Sequence, residues 1–172
     1  MSMAEPKVKM CRRPEALRDY TLKLLEERGV TLRAIAEVVL VIQQPYYDDL
    51  SLEDCLASVE AVIEKREVQH AIITGVALDK MAEENQLPEP LNTILRTDDF
   101  LYGVDEILAL SVTNVYGSIG LTNFGYLDKE KIGILGRLNN ERHKGGRVHT
   151  FMDDLVASIA AAAAARIAHQ HA

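Results

Sequence analysis

The sequence predicts an all-α protein: a single multihelical domain of about six or seven helices, with an apolar central helix surrounded by the others. Three observations lead to this prediction. The composition is 48% hydrophobic but only 5% aromatic and contains no Trp, which favours helices over a β-sandwich or barrel. Apolar residues recur at helical spacing along most of the chain. Two segments, 100–116 and 150–168, are apolar on nearly every face, as expected of helices enclosed by other helices.

Four helices are predicted in the first half of the chain, over residues 14–28, 32–44, 52–66 and 67–85. Thr31 is a suitable N-cap for the second helix, which has to end before Pro45. Ser51 is a suitable N-cap for the third helix, and Asp54, three residues later, completes a capping box. Gly75 interrupts the nearly uncharged centre of the fourth helix.

The second half is predicted to begin with a short helix after Pro90. A long helix then starts at Thr97 or Asp98 and extends to about Tyr116. Three glycines follow closely and predict a loop, at Gly117, Gly120 and Gly125.

A short helix over residues 129–139 and a final helix complete the chain. Thr150 is the predicted N-cap of the final helix, which is almost entirely alanine over its second half. Residues 14–172 are therefore expected to form the single domain, and residues 1–13 a flexible leader. That leader has basic residues but no apolar segment behind them, unlike a secretory signal.

The charge and the cysteines restrict the possible partners and compartment. The net charge of −7 argues against nucleic acid as a partner, because non-specific binding to phosphates relies on a broad basic surface. Cys11 and Cys55 show neither a disulfide framework nor a zinc pattern, so we expect a protein of the reducing cytoplasm.

Residues 107–127 carry no charge over a length that could span a bilayer. The segment nevertheless contains three glycines and several Ser, Thr and Asn side chains, which are expensive to leave unpaired in lipid. We therefore interpret it as a buried segment and expect no transmembrane helix.

Five acidic residues occupy positions that attract attention. Asp105 and Glu106 interrupt an apolar helix, Asp128 lies in a glycine-bounded turn, and Asp153 and Asp154 begin the last helix. A carboxylate in an apolar setting needs a cation, hydrogen bonds or a shifted pKa. Each also has a structural explanation: the last three suit helix capping, and the first two could form an exposed patch.

As a group, these acids suit a metal ion better than they do one by one. Clustered oxygen ligands are typical of Mg²⁺ or Mn²⁺, which commonly handle phosphate esters. Between Asp128 and Asp153, basic residues outnumber acidic ones. The basic residues are Lys129, Lys131, Arg137, Arg142, Lys144 and Arg147. Such a group would suit an anionic, phosphate-containing substrate placed beside the metal.

The stretches YGVDEILAL, GYLDKEKIGI and HTFMDDLVASI, in that order, resemble the phosphatidylglycerophosphatase A family and, within it, its soluble bacterial relatives of the YutG type. The wider family carries an IV-x-DE-x-x-G motif, an FD-x-x-KP-x-PI motif and a DD-x-x-AG motif. The matching residues are Asp105 and Glu106 in the first motif, Asp128 and Lys131 in the second, and Asp153 and Asp154 in the third.

The resemblance implies a phosphatase that uses Mg²⁺, or Mn²⁺, to hydrolyse a phosphate monoester, either phosphatidylglycerophosphate or a soluble analogue. The metal ligands are then expected to be Glu106, Asp128 and Asp153. The catalytic residues are expected to be Asp105, Glu106, Lys131 and Asp154. The residues expected to bind the substrate are Lys129, Lys131 and Arg147. Peripheral contact with lipid and homo-oligomerisation are further expectations.

Departures from the family motifs keep other interpretations open. The chain lacks the GT-x-P-x-APGT motif that the membrane enzymes have near the N-terminus, and Ile132 stands at the position of the KP proline. One alternative is a catalytically silent metal-binding or regulatory helical protein derived from the family. A purely structural alternative is that the acids only cap helices.

Overall fold

A computed structural model describes residues 13–142 and 144–171, and within these ranges all regular structure is helical. This confirms the predicted fold class. Of the predicted leader, residues 1–12 lie outside the described ranges, and so does Cys11. Arg13 immediately precedes the first helix.

The described residues form nine α-helices, more than the six or seven expected. In chain order they are α1 (Pro14–Glu27), α2 (Leu32–Gln43), α3 (Leu52–Ile63), α4 (Arg66–Glu83), α5 (Leu91–Thr97), α6 (Val104–Thr113), α7 (Gly117–Glu130), α8 (Ile134–Glu141) and α9 (Met152–Gln170). A short 3₁₀ helix, Asn114–Tyr116, joins α6 to α7. The predicted starts of α2 and α3 are confirmed, because the side chain of Thr31 caps α2 and Ser51 and Asp54 form the capping box of α3.

Helix α9 is the centre of the fold. Every residue from Met152 to Ala165 is buried, and the helix packs against α2, α3, α4, α6, α7 and α8. Its alanines have no long side chains, so neighbouring helices can approach its axis closely. The expectation of an apolar helix surrounded by others therefore holds for this segment.

The predicted helix from Thr97 or Asp98 to Tyr116 is wrong at its start. Thr97 is the last residue of α5, and the chain then changes direction through three residues with positive φ: Asp98 at 49°, Leu101 at 64° and Gly103 at 69°. Helix α6 begins only at Val104. It is not enclosed either, because Val104 and Ile107 are 51% and 66% exposed.

The predicted loop at Gly117, Gly120 and Gly125 is in fact helix α7. Glycine lowers helix propensity, but tertiary packing outweighs it here: Phe124 and Leu127 are buried on the side of α7 that joins the core. Gly120 is also needed sterically, since a Cβ there would lie 3.2 Å from the Thr113 carbonyl oxygen.

Residues 107–127, the uncharged segment, are thus divided between α6, the 3₁₀ turn and α7. None of the helices in the described part of the chain is long and apolar enough to cross a membrane.

Gly75 allows α4 to lie close against α9. A Cβ at this position would lie 2.5 Å from Leu155 Cδ1 and 3.0 Å from Phe151 Cβ, and both side chains are fully buried.

Gly75→Ala should therefore lower the free energy of unfolding by about 1–2 kcal/mol in urea denaturation, because overpacking exceeds the gain in helix propensity.

Gly125→Ala is the matched control for this substitution. It lies within α7, and a Cβ there would meet no atom within 4 Å. It should stabilise the protein by about 0.5–1 kcal/mol through helix propensity alone. Equal effects of the two substitutions would contradict the close packing of α4 on α9.

Candidate active site

A cavity of about 420 Å³ opens where the starts of α6 and α9 meet the end of α7. Its charged residues are overwhelmingly acidic. The acids are Asp98, Asp99, Asp105, Glu106, Asp128, Asp153 and Asp154, and the cations are Lys131 and Arg142. All five carboxylates singled out in the sequence therefore lie around one cavity, although three separate segments supply them.

The local structure of each segment explains how its acids reach the cavity. Asp105 and Glu106 occupy the first turn of α6, where the helix dipole favours negative charge. Asp128 lies in the last turn of α7, not in a turn that caps the next helix as predicted. Asp153 and Asp154 occupy the first turn of α9.

Lys131 is the cation at the centre of this arrangement. It follows α7 in the left-handed conformation, with φ 51°. Its Nζ lies 2.7 Å from Asp128 Oδ1, 3.1 Å from Asp153 Oδ2 and 3.9 Å from Asp154 Oδ1. Burial alone would lower the pKa of this ammonium, but Asp153, Asp128 and Asp154 together raise it. Lys131 therefore remains charged and links the second and third motifs.

The two acids at the start of α9 are buried and close to one another. Asp153 and Asp154 are only 4% and 5% exposed. Burial raises the pKa of both, and repulsion from Asp153 helps to raise the pKa of Asp154 to about 9. Asp105 also has a raised pKa, chiefly through burial. Burial is the largest cause of all three shifts, and repulsion between the acids adds to those of Asp105 and Asp154.

The second cation, Arg142, forms an ion pair with Asp98, which is itself one of the acids of the cavity. The remaining side-chain donors are carboxylate oxygens, which is the chemistry that Mg²⁺ and Mn²⁺ prefer. Within the described ranges, however, no three acidic, His or Cys side chains are already gathered at metal-binding distances. The donor set thus fits a hard divalent cation, with the Lys131 ammonium lying among the oxygens.

Lys129 and Arg147, two of the three residues predicted to bind substrate, do not line this cavity. Lys129 is exposed near the end of α7. Arg147 lines a different cavity. Lys131 alone among the three faces the acids, and the binding role of the other two stays a prediction.

Asp79 is an important residue that the sequence analysis did not identify. It is fully buried in α4, and its carboxylate accepts hydrogen bonds from the backbone N–H groups of Phe151, at 3.1 Å, and Met152, at 3.0 Å. It therefore caps α9 from another helix. Burial holds the pKa of Asp79 well above its usual range. In the sequence, the signal that could have identified Asp79 was a single acid within the apolar part of the helix predicted over residues 67–85.

Thr150, the predicted N-cap of α9, does not cap it. Its hydroxyl donates instead to the Leu95 carbonyl oxygen of α5, at 2.6 Å. The residue at the N-cap position is Phe151, whose side chain forms no capping hydrogen bond. Asp79 makes up for the missing local cap, so the position of Asp153 and Asp154 depends on a contact between distant segments.

Comparison of the sequence with known proteins finds a matching family model and related proteins. The family model for phosphatidylglycerophosphatase A matches residues 24–169. The uncharacterized Bacillus subtilis protein YpjQ is 56% identical over 153 residues, which cover 89% of this chain and 85% of that protein. YutG, an uncharacterized protein of the same organism, is 53% identical, covering 85% of this chain and 87% of its own.

A solved structure shares the fold as well. The low temperature requirement C protein from Listeria monocytogenes is 55% identical and superposes with a TM-score of 0.88, covering 92% of this chain and 99% of that one. The match to YutG agrees with the resemblance that the three motifs suggest.

Removal of the Asp79 carboxylate should destabilise the start of α9. Asp79→Ala leaves two buried N–H groups without acceptors and should lower the free energy of unfolding by about 2–3 kcal/mol in urea denaturation. Asp79→Asn keeps an acceptor oxygen and removes a carboxyl that is costly to ionise, so it should lose clearly less. Equal losses in the two variants would argue against the capping role.

Removal of the central ammonium should leave the acids without a neutralising partner. Lys131→Met should lower the free energy of unfolding at neutral pH by about 3 kcal/mol. The loss should shrink as the pH falls, because protonation removes the repulsion, and it should also shrink when Mg²⁺ is added. The measurement is thermal unfolding across pH, with the exposed neighbour Lys129→Met as the control. The role of Lys131 would be refuted by identical pH profiles in both variants.

Proposed function

This chain belongs to the phosphatidylglycerophosphatase A family, and from that premise we propose that it is a metal-dependent phosphatase that hydrolyses a phosphate monoester. The observation that carries the proposal is the cavity in which Asp105, Glu106, Asp128, Asp153 and Asp154 converge. A stable fold gains nothing from gathering acids whose pKa values are raised by burial and repulsion. A site that binds a divalent cation and a phosphate would explain why these acids lie around one cavity.

In this proposal Glu106, Asp128 and Asp153 hold Mg²⁺ or Mn²⁺. Each comes from a different helix, so the site exists only in the folded chain. When bound, the cation supplies neutralisation of the phosphate charge and increases the acidity of water. A cation would also relieve the repulsion between Asp153 and Asp154, which supports the assignment of the pair to a metal-binding region.

The remaining residues act on the substrate directly. Lys131 keeps its charge, and its Nζ is positioned to hold a phosphate oxygen or to stabilise charge on the leaving oxygen. Asp105 and Asp154 flank the proposed ligands and carry raised pKa values, so they suit the transfer of a proton to or from the reacting oxygens. Glu106 also lines the cavity and is exposed, so water can reach it.

An apolar surface borders the acidic cavity and supports a lipid-containing substrate. Phe100 and Leu101 line the cavity and are 84% and 83% exposed, and Val104 and Ile107 of α6 are also exposed. Such a surface can contact acyl chains while the phosphate enters the cavity. Homo-oligomerisation, which is expected if one chain does not cover two apolar helices, stays a prediction, and other helices of the chain already cover α9.

A catalytically silent metal-binding or regulatory protein is the second candidate function. It is favoured by the ammonium of Lys131, which already lies among Asp128, Asp153 and Asp154. Calorimetric binding of Mg²⁺ or Mn²⁺ without release of phosphate from a panel of esters would support this second function over the first.

Neutralising the acids should separate catalysis from stability. Asp154→Asn and Glu106→Gln should each reduce phosphate release from phosphatidylglycerophosphate or a soluble analogue by at least about a thousandfold. Asp154→Asn should at the same time raise the melting temperature of the metal-free protein, because a repelling buried carboxyl is removed. Phosphate release and thermal unfolding are measured on the same samples.

Asp19→Asn serves as the matched control, because it removes an exposed carboxylate of α1 outside the cavity. It should leave phosphate release unchanged. Full turnover in both Asp154→Asn and Glu106→Gln would refute the phosphatase proposal.

A further inference from the structure

A second cavity, of about 220 Å³, lies beside the segment that leads into α9. It shares no lining residue with the acidic cavity. Its lining is of mixed charge, with three arginines and a histidine beside three glutamates. The residues that matter for its chemistry are Glu26, Arg28, Arg137, Glu141, Arg147 and His149.

Two side chains of this cavity are buried yet have unpaired nitrogens. His149 is only 1% exposed, and neither of its ring nitrogens has a hydrogen-bond partner. Its Nε2 lies 3.9 Å from Glu141 Oε2, which is beyond hydrogen-bonding distance. Arg28 is 4% exposed, and its Nε is also unpaired. Buried polar groups normally have partners, so these nitrogens need a partner that the described residues do not supply.

The unpaired groups are mainly donors. Burial, and then the nearby Arg28, lower the pKa of His149 to about 4, so the ring is neutral and offers one N–H. Arg28 offers its Nε–H beside it. Arg147 is exposed, and among the described residues no carboxylate lies within ion-pairing distance of its guanidinium, which leaves that charge available at the cavity.

The carboxylates near the cavity are largely paired with cations, and one of those cations is Arg28 itself. Glu83 pairs with Arg28 at 2.8 Å and accepts the Val148 N–H. Glu27 pairs with Lys80 at 2.8 Å. Two others remain at the cavity: Glu141, which lies 3.7 Å from Arg137 Nε, and Glu26, which is exposed.

We propose that this cavity is a second ligand site, which binds a small oxyanion of the phosphate class through His149, Arg28 and Arg147. The acceptor oxygens of such an ion match the unpaired donors, and its charge is complementary to Arg147. The site does not depend on the proposed phosphatase activity, because none of its residues lines the acidic cavity. The oxyanion could be free phosphate or the phosphate group of a larger molecule.

The test is a titration of the full chain with inorganic phosphate in EDTA, followed by ¹H–¹⁵N spectra of the histidine rings. The His149 signals, identified by their absence in His149→Gln, should shift and saturate. Arg147→Gln should weaken binding about tenfold, since one charge-assisted contact is lost. Arg33→Gln, which removes an exposed charge outside both cavities, should leave the affinity unchanged.

A parallel titration with glycerol 3-phosphate distinguishes the two sources of the oxyanion. Weaker binding than inorganic phosphate identifies the free ion as the ligand, and equal or tighter binding identifies the phosphate group of a larger molecule. Unshifted His149 signals would overturn the proposal, and so would equal affinities of Arg147→Gln and Arg33→Gln. Loss of binding in Asp154→Asn but not in Arg147→Gln would also overturn it, while the phosphatase proposal would stand.

Discussion

The burial of two adjacent carboxylates at the start of the central helix is the constraint on which the rest of the structure depends. Asp153 and Asp154 are almost inaccessible to solvent, and an uncompensated pair of this kind would be prohibitively costly. The helix dipole favours both charges, and Lys131 reaches both from the end of α7. The burial of both carboxyls still raises their pKa values, in spite of this compensation.

The start of α9 is held in place by polar contacts from distant parts of the chain. Asp79 accepts two of the first backbone N–H groups. Glu83 and Arg28 pair with each other and hold the N–H and the carbonyl oxygen of Val148. The second cavity lies beside this same cluster and is lined by both arginines and glutamates, whereas the other end of the segment of residues 147–154 lies at the acidic cavity.

The fold and the candidate site were predictable to different degrees. The helical class, the N-caps at Thr31 and Ser51 and the buried alanine helix were predictable, because composition, capping and periodicity are local properties. Five acids of the cavity were singled out by their positions in or beside apolar helices or in a glycine-bounded turn, the resemblance of three motifs to those of a family grouped them, and the structure brings them to one cavity. The cap from Asp79 and the separation of Arg147 from the acidic cavity were not predictable, because each depends on contacts between segments far apart in sequence.

The sequence by itself determined which segments are helical through most of the chain and which side chains are candidates for a functional site. Only the tertiary structure decided how those side chains meet. Gly117, Gly120 and Gly125 reduce helix propensity, yet α7 forms because Phe124 and Leu127 gain burial against the core. The chain reverses at residues 98–103, where apolar periodicity predicted a continuous helix, and that reversal brings Asp98 to the same cavity as Asp105. Apart from proline, helix propensities differ by at most about 1 kcal/mol per residue, and the burial of a large apolar side chain in a packed core contributes more than that, about 1.5–3 kcal/mol.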